Sequence, residues 1–304
     1  MKIRLVQINP VVGNLDYNAT LIKDTISSSS EFDFLVFPEL SLIGYPPQDL
    51  LLDKKFILEA QDRLMDIKEV VGQQVVVLGL PTYLDGDLMN SAAVIQNKEV
   101  LGYHSKALLP TYDVFDETRY FTASNKVSPI SVTADGVKIS LGIQICEDLW
   151  DDNYSFKITD TLIDKGAEMI INISASPYRK KILDKRINLC RDRCKDLKYY
   201  FIYCNLVGGQ DELVFDGRSF ILDSGSDLKA IGKGFEEDMI DFNSEESNSL
   251  DVSPDQMDES KEIFDALSLG VRDYFKKSGF NKAVIGLSGG IDSYIIMDYF
   301  NKLK

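Results

Sequence analysis

An α/β fold is predicted for this 304-residue sequence by three observations. Short apolar runs recur between stretches with helical spacing, the runs are rich in β-branched residues, and Pro, Gly or polar turns bound them. Ile3–Ile8 reads as a buried strand, and beyond Gly13 the set Leu15, Ala19, Ile22 and Ile26 falls on one helical face. The Ser27–Ser30 run ends that helix. Phe34-Leu35-Val36-Phe37 is a second strand stopped by Pro38, and Glu39 follows at once. Val75–Leu80 is a third, while Ser91–Gln96 and Val100–Lys106 flank Asn97-Lys98-Glu99 as an antiparallel hairpin, with Lys106 where its second arm ends. Ile139, Leu141, Ile143 and Ile145 alternate with period two, and Cys146 comes next. A helix ending at Lys165 with Gly166 as its stop, strand Met169–Ser174, a basic helix from about Lys180 to Lys198 and strand Phe201–Leu206 continue the series. A second hairpin pairs Ser219–Leu222 with Leu228–Ile231.

Composition narrows the functional classes. The formal charge of -15 opposes a phosphate backbone, so nucleic acid is not an expected partner. No apolar run reaches the roughly 18–20 residues that span a bilayer, and MKIRLVQINP lacks a signal-peptide layout, so no membrane partner is expected and the reading is cytoplasmic. Cys146, Cys190, Cys194 and Cys204 are too few and too clustered for a disulfide framework, and are read as free thiols. With one histidine in the chain, a zinc site at Cys190 and Cys194 would lack ligands, so no metal is assigned and that pair reads as helix packing.

Three segments are expected: a first domain over 1–235, an acidic linker over 236–260, and the beginning of a second domain over 261–304. Positions 236–260 hold ten acidic residues and no Lys or Arg, the composition of a solvated linker. After it, Ile263, Phe264, Leu267, Val271 and Tyr274 outline an amphipathic helix, and Ala283–Leu287 reads as a strand leading into Ser288-Gly289-Gly290-Ile291-Asp292-Ser293.

Glu39, Lys106 and Cys146 each follow a strand, the place where α/β folds collect functional groups. Their chemistry suits amide hydrolysis. A thiol attacks as thiolate and needs a nearby base, which Glu39 supplies, while Lys106 supports the thiolate and the oxyanion of a tetrahedral intermediate. A bland reading stands beside this one: a buried thiol, a carboxylate after proline and a solvated lysine are each common. His104, two residues before Lys106 on the same strand, leaves a Cys-His mechanism open.

The surrounding motifs carry a resemblance. Phe37-Pro38-Glu39-Leu40-Ser41 with Gly44-Tyr45-Pro46-Pro47, Lys106-Ala107-Leu108-Leu109-Pro110-Thr111-Tyr112 followed by Phe115-Asp116-Glu117, and Cys146-Glu147-Asp148-Leu149-Trp150 are similar to the base, lysine and nucleophile motifs of the nitrilase superfamily. Ser174-Ala175-Ser176-Pro177 and the run Gly208 to Gly217 resemble more closely the glutaminase domains of the glutamine-dependent NAD synthetase family. The resemblance covers nearly all of 1–235. It implies a four-layer α-β-β-α sandwich, with Glu39 as base, Lys106 as oxyanion support and Cys146 as nucleophile of a cofactor-free glutaminase. It also implies a glutamine pocket lined by Tyr112, Glu147 and Ser176. The basic residue that such domains place after the Ser-Pro pair has three candidates here, Arg179, Lys180 and Lys181, without a clear register.

A Ser-Gly-Gly turn between a strand and a helix exposes backbone N–H groups at a helix N-terminus, which suits a phosphate. Ser288, Gly289, Gly290, Asp292 and Ser293 resemble the pyrophosphate loop of the ATP pyrophosphatase family, a Rossmann-like fold. The resemblance implies ATP and Mg2+ as requirements of a complete synthetase, deamido-NAD as its acceptor of ammonia, and a homo-oligomer. The sequence ends eleven residues after Ser293, so this chain is expected to act at most as a glutaminase. The alternative is a stand-alone nitrilase-type amidase acting on another small amide. A non-catalytic nucleotide-binding fragment, with Cys146 a mere core thiol, is the reading from outside enzymology.

Overall fold

The computed structural model describes residues 1–246, Val252 and 258–301, the side chains of 298–301 excepted. The first sheet contains β1 (Lys2–Gln7), β2 (Phe34–Val36), β3 (Val75–Leu84), β4 (Asp87–Gln96) and β5 (Glu99–Ser105), with α1 (Leu15–Ser27) and α2 (Lys54–Lys68) between its early strands. The second sheet is built from β6 (Ile130–Ala134), β7 (Val137–Ile145), β8 (Met169–Ser174) and β9 (Tyr200–Asn205), with α3 (Ile158–Asp164) and α4 (Ile182–Cys194) as crossovers. A separate two-stranded ribbon, β10 (Val207–Gln210) with β11 (Leu213–Asp216), precedes β12 (Phe220–Asp223) and β13 (Leu228–Ile231), which extend the second sheet. β14 (Asp238–Asn243) returns to the first. The orders are β14-β1-β2-β3-β4-β5 and β13-β12-β9-β8-β7-β6.

Strand parity explains the layering. In β1, Ile3 and Leu5 face the second sheet, where they meet Ile143, Ile145, Ile171 and Ile202, while Val6 faces the other way onto Ala19, Ile22 and Ile26 of α1. On the far side, Ile170, Phe201 and Tyr203 pack on Ile187, Cys190 and Cys194 of α4. The result is the α-β-β-α sandwich expected from the resemblance. The central strands β2 and β8 are fully buried because both faces of each sheet are covered there, and each such Leu, Ile or Val contributes roughly 1.5–3 kcal/mol. All four cysteines are free and buried, and Cys190 and Cys194 serve helix packing as expected.

Two expectations are corrected. The start of the acidic segment is not a solvated linker: β14 pairs antiparallel with all of β1, Lys2 opposite Asn243 through Gln7 opposite Asp238. Ile240 and Phe242 bury one face while Met239 and Asp241 stay exposed, so an acidic edge strand still has an apolar side. The later part of that segment, 247–251 and 253–257, lies outside the described residues. Ala283–Leu287 forms no strand, since no described neighbour pairs with it.

The helix expected after residue 261 is α5 (Glu259–Lys277), followed by α6 (Ile291–Asn301). α5 lies against the ribbon of the first domain. Ala266 and Leu269 are buried with Val207 and Phe235, and a Cβ on Gly209 would lie 2.8 Å from Gly270 Cα, so two glycines let the backbones meet. Asp273, 1% exposed, accepts from Asn9 Nδ2 (2.6 Å) and from the Gly209 N–H (2.7 Å). Lys277 donates to the Gly209 carbonyl (2.9 Å), and Arg218 pairs with Glu262.

Candidate active site

β1, β2 and β3 run parallel, β4 reverses against β3, and β5 reverses again, so β2 and β5 end at the same edge of the first sheet. Glu39 leaves β2 behind Pro38, and Leu40 then takes a left-handed backbone (φ 46°). This turn presses on β3 at Gly79, where a Cβ would sit 2.5 Å from both Pro38 O and Leu40 N. The Glu39 carboxylate is fully buried and held on both oxygens. Oε1 accepts from Lys106 Nζ (2.8 Å) and Asn90 Nδ2 (2.8 Å), and Oε2 accepts from the Ala175 N–H (2.8 Å). Ala175 follows β8, so the base candidate is stitched to the second sheet.

Lys106, 1% exposed, leaves β5 with its backbone N–H on Asn90 O (2.8 Å). Its ammonium bridges two carboxylates, Glu39 and Glu117 Oε1 (2.8 Å), and Tyr45 donates to the same Glu117 oxygen (3.1 Å). Burial alone would lower the Lys106 pKa, but Glu117, Glu39 and Cys146 together hold it well above its ordinary value. The Glu117 carboxyl is pushed up to about 7, chiefly by burial against the opposing pull of Lys106.

Cys146 follows β7 at once and begins a short 3-10 turn, Cys146–Leu149. Its φ of 44° lies in the left-handed region, a conformation costing a non-glycine residue about 1–2 kcal/mol. The turn swings the thiol off the sheet and into the carboxylates. Burial, then the charge of Glu39, raise its pKa well above the ordinary thiol value, with Glu147 and Glu117 adding to the rise and Lys106 opposing it. These surroundings favour the protonated thiol over the thiolate.

Tyr112 and Tyr154 donate to the two oxygens of Glu147 (2.8 and 3.0 Å), whose carboxyl is raised by burial in spite of these bonds. Tyr112 is half-exposed at the mouth. Ser176 is buried, and its Oγ accepts from Arg186 (3.0 Å), itself fully buried in an ion pair with Asp216 (2.8 Å). Of the three basic residues left unordered by sequence, Lys180 pairs with Glu259 of α5 and Lys181 forms the left-handed N-cap of α4. His104 binds Asp148 (3.1 Å). A cleft of about 240 Å³ opens beside the cluster, lined by Tyr45, Pro47, Phe115, Glu117, Tyr120 and Leu213.

In the second segment, Ser288, Gly289 and Gly290 form an exposed turn at the start of α6, with Gly289 left-handed (φ 83°). Ser293 Oγ donates to Gly290 O (2.8 Å), and Ser288 Oγ accepts from the Gly290 N–H (3.4 Å). Asp292 lies in the first turn of α6. Among the described residues, no group of three or more His, Cys, Asp or Glu could hold a metal ion, and no helix is long and apolar enough to cross a membrane.

Residues 2–240 match the family of carbon-nitrogen hydrolases. The chain belongs to that family. Residues 263–300 of this carbon-nitrogen hydrolase match NAD synthase. It is 37% identical, over 97% of its length, to a glutamine-dependent NAD(+) synthetase of Aquifex aeolicus, of which 57% is covered. A solved glutamine-dependent NAD+ synthetase from Acinetobacter baumannii, in complex with adenosine diphosphate, superposes with a TM-score of 0.86 at 32% identity, covering 98% of this chain and 56% of that one. An amidase from Nesterenkonia sp. AN1 shares the fold, with a TM-score of 0.67 at 21% identity over 80% of this chain and 92% of that one. The hydrolase thus spans a little over half the length of the curated relatives it matches.

Two residues of the carbon-nitrogen hydrolase site have no assignment from sequence. Glu117 opens a single 3-10 turn, Glu117–Arg119, too short to show a period, so only its closeness to Lys106 in the motif run pointed to it. Asn90 lies inside β4, where a polar residue in a strand gives no sign of its partner.

Proposed function

We propose that this chain is the glutamine-hydrolysing part of a glutamine-dependent NAD synthetase. One observation carries the reading: a buried cysteine on a left-handed strand-end turn shares its surroundings with a lysine bridged between two carboxylates. Cys146 Sγ attacks the amide carbon as Glu39 takes its proton, and Lys106 donates to the oxygen that gains charge. The C–N bond then breaks, Glu39 returns the proton to the leaving nitrogen, and ammonia departs from a thioester. Water, deprotonated by Glu39, attacks the thioester, the C–S bond breaks, and glutamate leaves with the thiol restored. Glu117 and Asn90 hold Lys106 and Glu39 in register throughout. Tyr112, Glu147 and Ser176 bind the polar end of glutamine, with Glu147 suited to the α-ammonium group.

The match of 263–300 to NAD synthase favours deamido-NAD as the destination of the ammonia, after its carboxylate is activated by ATP. Ser288, Gly289, Gly290, Asp292 and Ser293 would meet the ATP phosphates at the N-terminus of α6. The Mg2+ that accompanies ATP finds no ligand cluster among the described residues, so no step is assigned to it.

The test is ammonia release from glutamine, from asparagine and short aliphatic amides, and from glutamine with Cys146→Ala. The expected result is turnover of glutamine that vanishes with Cys146→Ala. Turnover of the other amides with none of glutamine would instead make the chain a stand-alone amidase, and no Cys146-dependent turnover of any amide would refute the hydrolase mechanism.

A further inference from the structure

The only histidine, His104, and the buried Asp148 take no part in the chemistry above, yet they join its two halves. Asp148 is fully buried and spends every bond at the strand ends that carry Lys106 and Cys146. Its Oδ1 accepts from the N–H groups of Ala107 and Leu108 (both 2.9 Å), the two residues after Lys106. Its Oδ2 accepts from the N–H of Ile145 (3.0 Å), the residue before Cys146, and meets His104 Nε2 (3.1 Å). One rigid carboxylate thus ties the first sheet at Lys106 to the second at Cys146. The reach back to Ile145 is half of a capping box on the turn 146–149. It braces the residue that must hold a left-handed backbone. His104, 3% exposed and one step before Ser105 at the end of β5, orients the carboxylate from behind.

From these contacts we infer that Asp148 is the positioning residue of the hydrolase, setting the distance between the Lys106 ammonium and the Cys146 thiol, with His104 as its support. Its geometry uses acceptors alone at three of the four contacts. An amide in its place turns at least one N–H toward another N–H, in one orientation at Ile145 and in the other at Ala107 and Leu108. The strand ends then part, and Lys106 no longer offsets the negative charge around the thiol.

The role rests on the proposed hydrolysis for its activity readout, but not for its structural one. Asp148→Asn and His104→Gln are compared with the parent chain by thermal melting, by kcat and KM for glutamine, and by the pH dependence of Cys146 alkylation with iodoacetamide. Asp148→Asn is expected to lower kcat by about 100-fold with KM changed less than about threefold, because a displacement near 1 Å costs about that much. The alkylation midpoint moves to higher pH, since Lys106 lowers the thiol pKa. His104→Gln, which leaves the three N–H bonds in place, shifts both readings the same way by less. A folded Asp148→Asn with the parent's midpoint and kcat, and only a lower melting temperature, overturns the inference. Should Asp148→Asn not fold, an unshifted midpoint in His104→Gln overturns it equally. A parent chain that turns over no glutamine refutes the proposed function, while the alkylation midpoints still decide the role of Asp148.

Discussion

Substituting Gly79 by alanine adds one uncharged methyl group within β3, and is expected to disable the site. The backbone at Gly79 has ordinary negative φ, so alanine meets no conformational barrier, and only space is at issue. Its Cβ would lie 2.5 Å from Pro38 O and Leu40 N and 2.8 Å from the Glu39 carbonyl carbon, where real Cβ atoms essentially never come closer than 3.0 Å. All three atoms are backbone, so the turn carrying Glu39 must retreat by at least the 0.5 Å that separates these distances. Three bonds of 2.8 Å, from Lys106, Asn90 and Ala175, converge on the Glu39 carboxylate from two sheets, and they cannot all follow such a shift. Overpacking of this kind costs about 1–3 kcal/mol of stability, and misplacing a catalytic group by most of an ångström costs roughly 10–100-fold in rate. Glutamine hydrolysis under saturating substrate, with circular dichroism to show a native fold, measures the effect. A folded Gly79→Ala with kcat within twofold of the parent would refute the argument that Glu39 is held by this close approach.

Other consequences are open to direct measurement. Glu117 titrates near 7 in the folded chain against an ordinary 4.5, so the folded state keeps a proton that the unfolded state loses; its contribution is whole below about pH 4.5 and is lost as pH rises through 7. Urea unfolding between pH 5 and 8 should show a decline of about 2–3 kcal/mol that Glu117→Gln removes. Arg186→Ala leaves Asp216 buried and uncompensated, and is expected to lower unfolding stability by about 3–5 kcal/mol in the same titrations. Tyr112→Phe deletes one donor to Glu147 and should raise KM for glutamine several-fold with little change in kcat, as steady-state kinetics will read. Asp273→Ala removes the acceptor for Asn9 and Gly209, and limited proteolysis should then cut within α5 while 1–246 resists.

The sandwich was legible because both faces of each central strand are covered, which writes unbroken apolar runs such as Val75–Leu80 and Met169–Ile171 into the sequence. The same strands made Glu39, Lys106 and Cys146 visible, as the first chemistry-bearing side chains beyond each run. β14 was hidden by its charge: Ile240 and Phe242 alternate correctly, but two apolar residues in an acidic stretch are too faint to set a strand apart from a linker. Glu117 was hidden for another reason, since one 3-10 turn has no period to read and nearness in the motif run does not reveal an ion pair with Lys106. Ala283–Leu287 failed in the opposite direction, because an apolar run states a preference for pairing and not the presence of a neighbour.

The contact between Gly209 and Gly270 bears on where this polypeptide can be severed. Composition invites a cut in the acidic stretch, yet a protein ended at residue 246 would bare Val207 and Phe235 to water and strip the Asn9 amide and the Gly209 N–H of their shared acceptor. The packed surface of the hydrolase therefore runs through Lys277. By sequence match most of that helix falls in the segment similar to NAD synthase, and by packing it belongs to the hydrolase domain, so the border drawn by similarity and the border drawn by burial do not coincide.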